Sequence, residues 1–250
     1  MKKDNLGDRM KENYENRAKT RLLRRIPVII RLDGKAFHTF TRRFKKPFDD
    51  ILTEAMQQTM LTLCKEIQGC VLGYTQSDEI TLVLTDYEKL ETAAWFDYDI
   101  QKVCSVSASI ATLAFNRCFL DILWQGNIPL EDVHVNAITK GALFDSRCFN
   151  VPKEEVTNCV LWRQQDAIRN SINSVGQANF SYKELQGLST NQVLEKLLKE
   201  KQVYWNSMPI HLQRGSCCIK KEIDGIDTWF IDTEIPIFKG EDRDYIERII

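Results

Sequence analysis

Asp33 and Asp78 are the residues whose type and setting point most directly to chemistry. Asp33 closes the run IPVIIRLDG (residues 26–34), and Asp78 interrupts VLGYTQSDEITLVL (residues 71–84). Each follows a short apolar stretch rich in β-formers, where a strand end can hold a carboxylate rigidly at a sheet edge. Two such carboxylates brought together form a hard-oxygen site suited to a pair of Mg²⁺ ions, the apparatus of phosphoryl and nucleotidyl transfer. Gly34 carries no side chain, so its carbonyl can approach a cation closely. Glu79 adds a third carboxylate as a ligand, a support or a general base, or it faces away from the ions, since neighbouring strand residues alternate sides. Asp-Gly and Ser-Asp-Glu are also ordinary turn sequences. The pair, rather than either acid alone, carries the metal reading.

The elements that must position these acids are legible along the chain. Pro27–Leu32 reads as a buried first strand, a continuous β-branched run. A basic loop, TRRFKKP, leads to Asp49-Asp50, which open a helix to about Ile67. Val71–Thr75 and Ile80–Thr85 form a hairpin, Trp95 to about Trp124 a long helix, and Ala137–Val151 a further strand or strand pair. The order β-α-β-β-α-β predicts a ferredoxin-like α/β (α+β) fold. Its first and third strands are central neighbours, so Asp33 and Asp78 converge. Residues 1–150 would be this catalytic palm. Residues 151–250 form a second region, with helices over about 154–176 and 191–201 and a hairpin around Asp224-Gly225.

The bulk numbers narrow the classes of function. The 250 residues carry a formal net charge of −1, so any polyanion must meet a local basic patch rather than a whole-molecule field. Two patches qualify: Arg17, Arg21, Arg24 and Arg25, at helical spacing within residues 8–25, and the loop residues Arg42, Arg43 and Lys45. Either also suits a solvated surface. No apolar run approaches the ~20 residues that span a bilayer. The polar N-terminus lacks a signal-peptide core, and a cytoplasmic location without membrane association is expected. The eight cysteines show no C-x-x-C spacing and read as reduced, mostly buried thiols. With three histidines and no ligand spacing, structural zinc is not expected.

The string IIRLDGKAFHTFTRRFKKPFDD followed by YTQSDEITLVL resembles the catalytic core of the tRNA-His guanylyltransferase superfamily. Further matches follow in order: Trp95-Phe96, Lys102, LFDSR (143–147) and WRQQD (162–166). The resemblance implies a polymerase-like palm that adds nucleotides in the 3′-to-5′ direction. It implies that Asp33, the Gly34 carbonyl and Asp78 hold two Mg²⁺ ions with Glu79 in support. It further implies that Lys35, His38, Lys46, Ser77, Lys102, Arg147 and Asn173 contact nucleotides, and that the basic patches contact tRNA. The implied chemistry uses ATP to adenylylate a 5′-monophosphate, which otherwise lacks a leaving group. The 3′-hydroxyl of GTP or another NTP then attacks the activated end and releases AMP. Family membership also implies a homotetramer.

One departure refines the expectation. Enzymes dedicated to tRNA-His carry a histidine and paired asparagines soon after the WRQ segment. Here the run is WRQQDAIRNSINSV, with Asn170 and Asn173 but no histidine. That pattern resembles the guanylyltransferase-like branch, which repairs truncated tRNA 5′ ends against the opposite strand. A dedicated tRNA-His enzyme adding G at position −1 is the alternative. A palm-type nucleotide cyclase is a third reading, disfavoured by the WRQQD segment and the arginines. An RNA-binding module is a fourth, disfavoured because VIIRL and ITLVL present no aromatic residues for base stacking.

Overall fold

A computed structural model of the chain describes residues 5–223 and 225–250. Its centre is a six-stranded antiparallel sheet in the order β4-β1-β3-β2-β5-β6. The strands are β1 (Val28–Gly34), β2 (Cys70–Gln76), β3 (Glu79–Leu84), β4 (Phe144–Asn150), β5 (Ser216–Ile223) and β6 (Ile226–Asp232). The first four have the ferredoxin-like arrangement expected from the sequence, with β1 and β3 adjacent. β5 then pairs with β2, so the C-terminal hairpin extends the same sheet. Asp224, around which the sequence centres that hairpin, lies outside the described residues.

The β-branched run of β1 is buried on both faces, which is why it reads as continuously apolar. Val28, Ile30 and Leu32 meet one layer, formed by the helices α3 (Asp50–Glu66) and α4 (Ile100–Gln125) through Met60, Leu63, Phe115 and Phe119. Ile29 and Val83 point the other way, onto Val156 and Val160 of α6 (Lys153–Asn179). α3 begins where Asp49 caps it, its side chain accepting the N–H groups of Ile51 and Leu52 at 3.1 Å. Such a cap contributes about 1 kcal/mol.

The structure corrects four expectations. The N-terminal α1 covers only Asn5–Asn13, followed by a single 3₁₀ turn over Glu15–Ala18, so residues 8–25 are not one helix and the arginines form no helical stripe. A short helix, α2 (Phe37–Phe40), stands between β1 and the basic loop, which therefore does not follow the strand directly. Residues 137–140 belong to a helix, α5 (Asp132–Lys140), whose residues Ala137 and His134 are buried, and the strand starts only at Phe144. Finally, α4, at 26 residues, is long and apolar enough to cross a membrane by length and composition. One stripe of it serves the core: Val103, Ala111, Phe115, Phe119 and Leu123 are packed among α3 and the sheet, while Leu113, Leu120 and Trp124 are exposed.

Candidate active site

Strand register brings the carboxylates together. Asp33 stands opposite Glu79 of β3 and opposite Asp145 of β4. Directly opposed residues in an antiparallel ladder share a face, so these three point toward the α6 side of the sheet. Asp78 occupies the two-residue turn between β2 and β3, and its carbonyl accepts the Gly34 N–H at 3.0 Å. Ser77, the other turn residue, has φ +50°, the positive φ that tight hairpins favour. Its hydroxyl donates to the Asp78 carboxylate at 3.0 Å. A Cβ on Gly34 would overlap the Phe37 ring, so packing requires glycine there whether or not a cation uses its carbonyl.

The four acids differ in their partners. Glu79 is buried, and both its oxygens are held by Arg163, at 2.6 Å from Nε and 2.8 Å from Nη2; Arg31 adds a third contact at 3.0 Å. Asp145 pairs with Arg147 at 2.7 Å. No salt bridge forms at Asp33 or Asp78 among the described residues. Burial, reinforced by the charges of Asp145 and Glu79, pushes the Asp33 carboxyl above its usual range. Asp78 is likewise raised by burial, the Ser77 hydroxyl opposing and the Asp33 charge adding to the shift. Two half-buried carboxylates that repel each other and lack cationic partners are the donor set a hard divalent cation would complete. Two side chains and a glycine carbonyl fit such an ion. Among the described residues no cluster of three or more His, Cys, Asp or Glu side chains forms a metal cage.

A cavity of about 450 Å³ opens beside Asp78. His38, Lys46 and Ser77 line it from the palm, and Asn170 and Ser174 line it from α6. His211 lies at its far wall, where burial lowers the imidazole pKa and favours the neutral ring.

The matching family model, described as tRNAHis guanylyltransferase (Thg1), covers residues 7–152, more than half the chain. The chain belongs to the Thg1 family. It is therefore a nucleotidyltransferase. A bacterial Thg1-like protein in complex with ATP is 43% identical and superposes with a TM-score of 0.85 over 98% of this chain and 99% of its own. A bacterial Thg1-like protein in complex with GTP is 40% identical, with a TM-score of 0.81 over the same shares. The tRNA(His) guanylyltransferase of Schizosaccharomyces pombe is 29% identical across 82% of this chain and 77% of its own length.

The residues expected from the Thg1 resemblance divide into those at the carboxylates and those elsewhere. His38, Lys46, Ser77 and Asp78 share the cavity, and Asp33, Gly34 and Glu79 adjoin it through the β1–β3 ladder. Arg147 stands two residues along β4 from Asp145 on the same face. Lys35 is exposed at the end of β1, its backbone N–H bonded to the Leu143 carbonyl at 2.8 Å. Asn173 is exposed and lies off the cavity, which takes Asn170 and Ser174 instead. α6 lines the cavity through Ala167, Asn170, Ser171, Ser174 and Gln177, and Asn173 borders that stripe without lining the cavity.

Lys102 is also apart from the acids. α4 meets β4 where Ser107 bonds Ser146 at 2.8 Å and the Thr112 hydroxyl accepts the Phe144 N–H at 3.2 Å. The first turn of α4 therefore lies at the end of β4 remote from Asp145, on the sheet face opposite Asp33. There the Lys102 ammonium sits 5.9 Å from the Phe96 ring.

The arginines of the N-terminal segment are struts. Arg21 pairs with Asp97 at 2.6 Å, Arg24 with the buried Asp86 at 2.6 Å, and Arg25 donates to the Leu90 carbonyl at 2.9 Å. They pin the segment 86–97 while staying exposed at the surface themselves. Arg17, Arg42 and Arg43 are exposed as well and make no salt bridge among the described residues. Sequence reasoning assigned no role to Arg31, Asp145, Arg163 or His211. The motifs LFDSR and WRQQD contained two of these residues, but only the register shows what they touch.

Proposed function

We propose that the protein adds nucleotides in the 3′-to-5′ direction to the 5′ end of a tRNA, templated by the opposite strand. The observation that carries this reading is the pairing of Asp33 with Asp78, two carboxylates without a salt bridge among the described residues, beside a cavity in a Thg1-family palm. The relatives in complex with ATP and GTP support ATP and GTP as nucleotides for this chain. The missing histidine after Trp162 supports repair of truncated ends over recognition of one anticodon.

Asp33, Asp78 and the Gly34 carbonyl would hold two Mg²⁺ ions, which when bound polarise the α-phosphate and favour the ionised attacking hydroxyl. The residues of the chain supply the rest. Lys46 and the Ser77 hydroxyl, both lining the cavity, hold the triphosphate, and His38 closes the pocket. The Arg147–Asp145 pair is exposed and half-open to water, so the guanidinium can exchange its carboxylate for a phosphate at little cost. Activation and extension are both in-line displacements at phosphorus, so one carboxylate pair serves both. Arg17, Arg42 and Arg43 are exposed cations without a salt bridge among the described residues, free to contact the RNA backbone, where such contacts position without reading bases. A homotetramer would let separate subunits grip different parts of one tRNA.

The test is a 5′-truncated, end-labelled tRNA supplied with Mg²⁺, ATP and single NTPs. Extension by the complementary nucleotide alone supports template-directed repair. Addition of G to tRNA-His regardless of template supports the dedicated enzyme instead, and a cyclic product from NTPs alone would point to a cyclase.

A further inference from the structure

We propose that Arg163 is a positioning residue: its guanidinium withdraws Glu79 from the cation site and fixes the Asp78 turn against α6. This inference rests on the function just proposed, yet its geometry stands apart from any bound ion.

Glu79 and Arg163 are each only 6% exposed. The guanidinium meets the carboxylate through two nitrogens, a forked geometry that sets direction as well as distance. Arg31 closes on Oε2 from β1, so both oxygens are taken. On the far side of Arg163, Asp166 accepts at 2.8 Å and is held in turn by Arg169 at 2.6 Å. The Trp162 ring lies 4.5 Å from the Arg163 guanidinium and 5.2 Å from that of Arg31, covering the network. Glu79 directly follows Asp78. Its clamp therefore fixes the backbone on one side of Asp78, while the Gly34 N–H holds the Asp78 carbonyl. Of the four acids gathered here, Glu79 is held by Arg163 and Arg31, Asp145 has the exposed Arg147 beside it, and Asp33 and Asp78 remain for cations. Without Arg163, the charge of Glu79 would stand beside the other two acids, to repel them or to recruit a cation at the wrong position.

Three variants of the full-length protein test this: Glu79→Gln, Arg163→Gln and the double variant. Mn²⁺ is titrated by electron paramagnetic resonance in the presence of ATP, and kcat, KM for ATP and melting temperature are measured alongside. Glu79→Gln should bind Mn²⁺ within about twofold of the parent, because a clamped carboxylate is no ligand. Arg163→Gln should lower kcat by about tenfold, the lower end of what removing a supporting partner typically costs. The double variant should recover much of that loss, because a neutral amide pair no longer leaves a buried charge alone. A tenfold or greater weakening of Mn²⁺ binding by Glu79→Gln, or a double variant worse than either single one, would overturn the proposal. If Arg163→Gln does not fold, the Glu79→Gln titration decides by itself. If the parent transfers no nucleotide, the functional reading fails while the Mn²⁺ titration still judges the clamp.

Discussion

Asp33 and Asp145 face each other across the β1–β4 ladder, and of the two only Asp145 has a guanidinium partner among the described residues. The same register that gathers the acids thus leaves an asymmetry of charge. Asp33 sits partly buried against like charges, and the fold bears that repulsion until a cation arrives.

Asp33→Asn should therefore abolish nucleotide transfer and yet raise the melting temperature of the metal-free protein. For a chain of this size each kcal/mol of relief corresponds to about 2–4 °C. Calorimetry in EDTA checks the second half, and a lower melting temperature would argue against repulsion at this site. Asp78→Asn should behave in the same way.

The pH dependence follows from the direction of the shifts. Both acids are raised above the ordinary aspartate value of 3.8, so the folded state takes up protons before the unfolded state does. Their contribution to metal-free stability is favourable below that range. It is lost as pH rises through the elevated folded-state values. Added Mg²⁺ should reverse the trend at neutral pH, seen as a stabilisation absent from the Asp33→Asn variant. The rate of transfer should fall on acidification at a higher pH than an unperturbed aspartate would give.

The two arginine groups should separate cleanly. Arg24→Ala leaves the buried Asp86 without its partner and should lower the melting temperature while leaving tRNA affinity within about twofold. Arg42→Ala with Arg43→Ala should do the opposite. It should weaken binding across all tRNAs and lower the salt slope by about 1 for each phosphate no longer neutralised. Filter binding at several salt concentrations distinguishes these outcomes.

Gly34→Ala tests whether packing alone demands the glycine. The added methyl would drive the Phe37 ring out of its cluster with Phe40, Phe115 and Phe144, costing about 1–3 kcal/mol. The melting temperature should drop equally with and without Mg²⁺.

The palm was legible because its signals are local. Pro27 and the β-branched run mark β1, Asp49 marks the start of α3, and the short turn at Ser77-Asp78 marks the hairpin. Convergence of Asp33 and Asp78 followed from strand order alone. The Arg163–Glu79 pair was not legible, since 84 positions separate its members and no local pattern links a helix residue to a strand residue across the sheet. The arginines misled for a related reason. Helical spacing over Arg17–Arg25 is real in the sequence, but Asp86 and Asp97 offer partners that only the folded chain brings near. Which of Asn170, Asn173 and Ser174 lines the cavity was not legible either, because that depends on which stripe of α6 faces it.

The matched family region ends at residue 152, whereas β2 is hydrogen-bonded on its outer side to β5, beyond that boundary. A chain cut there would carry the whole carboxylate pair yet leave β2 as a raw, apolar border strand, and the sheet face against α6 stripped of cover. Such a fragment should self-associate through that border instead of remaining monodisperse. The last hundred or so residues thus shield the sheet that holds the reactive acids.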